Sequence, residues 1–180
     1  MKQQFRLGHI LIFFFSIAFL FATGCASTAN STMNQPISVK LSQFKSATVE
    51  VKSGMSKTSE RLDEFLEQLE GRIIVKLREQ KAFEKIYSQA ETDSRSDLHI
   101  TVIITKMRDV DNYDRVMWGA LAGQAKTEAT VELREQTTGK LIGSGQIEGK
   151  SSNGTVLSGT TPQAVDRVAD EVVKIVDQNL

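Results

Sequence analysis

Hydrophobic positions in this chain follow two periods. In one set of segments they alternate with polar positions, which puts every second side chain on the same face of a strand. Ala47, Val49 and Val51 alternate with Thr48, Glu50 and Lys52, and Leu98, Ile100, Val102 and Ile104 alternate with His99, Thr101, Ile103 and Thr105. Ile103 among the second set's outward positions predicts that both faces of that strand are partly covered. Ala125, Thr127, Ala129, Val131 and Leu133 alternate with charged or Thr neighbours, and Thr137-Thr138-Gly139-Lys140 predicts a hairpin with Gly139 left-handed. The return strand, Leu141 to Lys150, carries Gly143 and Gly145, a sign of a bulge or of backbone approaching closely. Ile37, Val39 and Leu41 alternate more weakly, as an edge strand or an extended lead-in would, and Phe83, Ile86 and Tyr87 mark a short strand.

Two segments have the helical period instead. Leu62, Leu66, Leu69, Ile73 and Leu77, widened by Phe65, predict a helix from Ser56 or Thr58 to Gln80, in which Gly71 marks close packing on a sheet. Val165, Val168, Val172 and Val176, flanked by Ala169 and Val173, predict a final helix with Thr160 or Thr161 as its cap and Pro162 in its first turn. The predicted fold class is α+β, a two-layer sandwich with a mostly antiparallel sheet and both amphipathic helices packed on one face. The opposite face, rich in Thr and charge on the strand 125–134, is expected to be wet.

The N-terminus follows neither period. Lys2 and Arg6 precede an apolar run, Ile10 to Ala22, interrupted only by Ser16. As a helix it would rise only ~20 Å against a ~30 Å hydrocarbon core, too short to span and of the length of a signal peptide. The run closes on Leu20-Phe21-Ala22-Thr23-Gly24-Cys25, with the chain's single cysteine directly after a small residue. Ala22-Thr23-Gly24 would serve plain signal cleavage, leaving a free thiol. The cysteine tips the reading toward a lipobox, which this motif resembles except for Ala22 where Leu is commonest. Lipidated there, Cys25 would be held by two or more acyl chains, enough for stable anchoring. The organisation expected is therefore a leader over 1–24, a flexible tether over 25–36 and one α+β periplasmic domain over 37–180. Ala26 after the cysteine, rather than Asp, points by the same resemblance to the outer membrane.

Losing Lys2 and Arg6 from 22 basic residues against 22 acidic ones leaves the remainder about two charges negative, with no basic block for a phosphate backbone. Nucleic acid is not an expected partner. With Cys25 acylated, no thiol is left for a nucleophile, disulfide or metal site, and His99 is the one remaining histidine. His99 beside Asp97 reads as structural rather than as a general base. Asp109, Asp111, Asn112 and Asp114 fail as a Ca²⁺ loop, since Tyr113, Asp114 and Ala120 occupy its fifth, sixth and twelfth positions. Gly149-Lys150-Ser151 fails as a phosphate loop for want of the upstream Gly and of a following helix. Neither a cofactor nor an enzymatic activity is expected.

The element order, with Gly119-Ala120-Leu121-Ala122-Gly123 and Thr138-Gly139-Lys140, resembles the bacterial envelope lipoproteins labelled domain-of-unknown-function family 4410 over roughly residues 37–180. That resemblance implies an uncharacterised lipoprotein and supplies no catalytic residues. The expected role is a non-enzymatic interaction or assembly accessory, with an envelope protein or a second copy as partner. Tyr113, Met117 and Trp118 are the contact candidates, because Val116 to Ala122 is either a buried strand start or an exposed apolar tip. The alternative is a small-ligand module using the uncovered sheet face.

Overall fold

A computed structural model describes residues 27–56, 60–91, 96–108, 124–152 and 160–180. The strands are β1 (Thr28–Gln35), β2 (Ser46–Ser53), β3 (Lys85–Ser88), β4 (Leu98–Arg108), β5 (Lys126–Glu135) and β6 (Leu141–Lys150), and the helices are α1 (Glu60–Glu79) and α2 (Thr161–Asp177). One six-stranded sheet has the order β1-β6-β5-β4-β2-β3.

The alternating strands fold as their pattern requires. Ile100 of β4 is level with Val49 of β2 on one side and Leu133 of β5 on the other, and all three are fully buried. Val102 lies level with Val51 and Val131 in the next row of the same face. These rows share a core with Leu69, Ile73 and Leu77 of α1 and with Val165, Val168, Val172 and Val176 of α2. Ion pairs Arg72–Asp166 and Lys76–Asp170 (2.8 Å for the second) join the helices. Their partners advance together along both chains, so α1 and α2 run parallel. Gly139 closes the β5–β6 turn at φ 68°, the left-handed value expected of it.

The antiparallel expectation holds for three of the five strand pairings among the described residues, but the sheet is mixed: β2 runs parallel to both β3 and β4. Alternation reveals which face a residue takes but not which way its strand runs. Here α1 is the crossover that returns the chain parallel to β2, as any parallel connection demands.

The polar stretch expected to be a flexible tether is largely β1, antiparallel to β6 from Thr28↔Lys150 to Gln35↔Ser144. Its stabilisation comes from backbone pairing, a few side-chain anchors and the packing of Met33 against the core. Ser31 Oγ donates to Glu171 Oε1 at 2.7 Å, and Arg167 Nε donates to Ser27 Oγ at 2.7 Å. What approaches β6 closely is this segment and the one after it. A Cβ on Gly145 would stand 2.9 Å from Met33 Sδ, and one on Gly143 would stand 2.6 Å from Ile37 Cγ1.

Gly71, expected to mark close packing, has open space instead, with nothing within 4 Å of where a methyl group would stand. It sits on the exposed side of α1. The lead-in through Ile37 and Val39 is extended without being a strand and ends in the 3-10 turn Leu41–Gln43, where Leu41 N donates to Asn179 O at 2.7 Å.

Candidate interaction surfaces

The residues between the buried rows build the other face of the sheet. The register sets Asn30, Glu148, Glu128 and Lys106 side by side across β1, β6, β5 and β4, with Thr28, Lys150, Lys126 and Arg108 in the row beyond them. Their charges answer one another. Lys106 meets Glu128 at 3.0 Å, Lys126 meets Glu128 at 2.8 Å and also pairs with Glu148, and Lys150 pairs with Glu148. Hydrogen bonds first from Lys126 and then from Lys106 hold the Glu128 carboxyl below its ordinary range. Those from Lys126 and then Lys150 do the same for Glu148. A groove of about 550 Å³ runs over this face between Asn30, Thr32, Thr105 and Gln146. Its walls are polar and self-paired, whereas small-molecule sites are mostly apolar with a few convergent polar groups.

Near the other edge, His99 Nε2 stands 3.4 Å from Glu50 Oε2 without a hydrogen bond. Asp97 turns to the backbone instead. Its Oδ2 accepts from Lys45 N, Ser46 N and Ser46 Oγ at 3.0 Å each, clamping the start of β2 to the start of β4. Desolvation raises this carboxyl, but the Ser46 hydroxyl and the Lys45 and Ser46 amides together outweigh it, so it stays below the ordinary value. His99 and Asp97 therefore do not form a dyad. Among the described residues no group of three His, Cys, Asp or Glu could hold a metal ion.

The three lowered carboxyls fix a pH dependence. A carboxyl depressed by folding adds stability above its unfolded value of roughly 4, and that stability is lost as pH falls through the lower folded value. Stability should fall on acidification below about pH 4. Asp97→Asn should flatten that acid limb and cost on the order of 2 kcal/mol at neutral pH, where a charged acceptor of three bonds is lost. Urea melts at several pH values check both.

A second concavity, about 930 Å³, opens beside β3 between Arg78, Lys81, Phe83, Lys85, Tyr87 and Glu91. Its shape depends on how α1 ends. Lys81 takes φ 54°, Lys81 N donates to Arg78 O and Ala82 N to Leu77 O at 3.1 Å each, a Schellman stop with lysine where glycine is usual. Sequence reasoning misses this cleft. Phe83 and Tyr87 read as part of a short strand, and no local signal marks that strand as an edge.

Cys25, Tyr113, Met117 and Trp118 lie outside the described residues, as do the acidic loop from Asp109 and the segment Val116 to Ala122. Cys25 is two positions before Ser27, and residues 109–123 lie in sequence between Arg108 and Lys126, which share the row that begins with Thr28. No helix among the described residues is long and apolar enough to cross a membrane.

A mixed six-stranded sheet with two helices defines an α+β domain. Residues 31–155 match the family model of the domain of unknown function DUF4410, so the chain belongs to that family. No curated protein matches it. Among solved structures it is similar to the PelC dodecamer from Paraburkholderia phytofirmans, with TM-score 0.53 and 13% identity over 83% of this chain and 97% of that one. A crystal form of a PelC point variant gives TM-score 0.52 at the same identity and coverage. A DUF330 protein from Xanthomonas campestris is fainter, at TM-score 0.44 and 10% identity over 81% and 84% of the two chains. At these identities the likeness concerns the fold.

Proposed function

We propose that the chain is a lipoprotein of the bacterial outer membrane, held at its periplasmic face by acylated Cys25, and that it is a non-enzymatic interaction or assembly accessory. The observation that carries the reading is the apolar run closing on Gly24-Cys25 immediately ahead of the domain's first strand. In the same reading α1 and α2 form one layer over one sheet face, a two-layer sandwich, because their apolar stripes share a core with the buried rows of β2, β4 and β5. That leaves β1 and β3 as the edges of the sheet among the described residues, and the β1 edge suits strand addition by a partner or a second copy. PelC, similar in fold, is described as a dodecamer, which is compatible with self-association here. Tyr113, Met117 and Trp118 remain the contact candidates.

Cys25→Ser should abolish acyl labelling and move the protein from membrane to soluble envelope fractions. Equal membrane attachment of the variant would overturn the anchor. A second reading, a small-ligand module, is favoured by the cleft beside Phe83 and Tyr87. It requires saturable ligand binding that Tyr87→Ala weakens.

A further inference from the structure

The structure leaves almost no slack between the anchor and the domain. Ser27 is tied to Arg167 of α2 and Thr28 is already paired with Lys150. Two residues of extended chain cover at most about 7 Å, so Cys25 and Ser27 are separated by no more than the thickness of a headgroup layer, itself about 5–8 Å. The sheet end near Thr28 must then lie at the leaflet surface. That end bears a row of cations across four strands: Lys150 on β6, Lys126 on β5 and Arg108 on β4 follow Thr28 in register, with Lys106 one step behind. Within these two register rows four cations stand against two carboxylates, Glu128 and Glu148, so the rows themselves carry net positive charge. Three interstrand steps carry the row about 14 Å away from the anchored corner.

We propose that this end of the sheet seats on the headgroups of an anionic phospholipid leaflet, with Lys150, Lys126 and Arg108 meeting lipid phosphates, so that the strands stand on the membrane. The proposal rests on the acylation of Cys25 and adds an orientation to it. An anchor at one corner leaves the sheet free to tilt about β1. Cationic contacts spread along the row to β4 remove that freedom.

Asn30 on β1 and Thr105 on β4 are exposed at nearly the same height, and Thr138 is exposed in the β5–β6 turn at the opposite end. Bimane attached to Asn30→Cys, Thr105→Cys or Thr138→Cys in the full acylated chain reports depth, using vesicles of phosphatidylcholine and phosphatidylglycerol with nitroxide-headgroup lipid as quencher. The expected result is strong quenching at Asn30 and Thr105 and little at Thr138. Adding Lys126→Gln, Lys150→Gln and R108Q should lower quenching at Thr105 about threefold or more while sparing Asn30, since each surface cation changes occupancy on the order of fivefold. High salt should reproduce that loss in the unsubstituted chain. Equal quenching at Thr105 and Thr138, or a Thr105 signal indifferent to the three substitutions, overturns the seat while leaving the anchor standing. Absence of quenching at Asn30 overturns the anchor, and the seat with it.

Discussion

Gly149→Val is expected to lower the unfolding free energy by about 3 kcal/mol or more, the upper part of the range for forcing atoms into a packed interior. A Cβ at this position would stand 2.3 Å from Ala164 O, 2.9 Å from Val168 Cγ2 and 3.1 Å from Val168 N. Two of these three are backbone atoms of α2, which no rotamer change can move aside. Relief requires the first turns of α2 to lift from β6, loosening the rows that Val165 and Val168 help to cover. Gly71→Ala is the contrast. With open space around the position and an α-helix on both sides, it should gain roughly 0.8–1 kcal/mol by helix propensity alone. Urea melts followed by circular dichroism on the two variants check the opposite signs, and a Gly149→Val chain as stable as the parent would mean that α2 does not lie against β6 as described.

Ile100→Ala should cost about 4 kcal/mol, within the usual span for truncating a fully buried aliphatic residue. Ile100 lies between Val49 and Leu133 in the middle of the sheet, with a parallel neighbour on one side and an antiparallel neighbour on the other. None of the three is exposed, so a cavity there has no solvent route and backbone ladders on both sides resist collapse. Ile103 on the other face of the same strand is only half-buried, and I103A should cost clearly less. Equal losses at the two positions in denaturant melts would mean that both faces of β4 are core.

Hydrophobic spacing placed β2, β4, β5 and both helices, because burying one face imposes a period that survives in the residues themselves, and the Thr-Gly turn placed β6 as the return strand. Leu141 to Lys150 was legible to the residue, and so was the left-handed Gly139 in the turn before it. The apolar run ending at Cys25 was equally a property of the sequence, since its length and the residues that close it are local features.

Tertiary structure decided three other matters. Thr28 to Gln35 has polar composition and reads as a tether, yet pairing to β6 makes it a strand, because a backbone ladder needs a partner edge rather than apolar side chains. The parallel course of β2 and β4 depends on where α1 returns the chain, which no local period records. The cation row of Lys150, Lys126 and Arg108 is assembled from three separate strands and exists only in their register, so residues far apart in sequence become one surface beside Thr28.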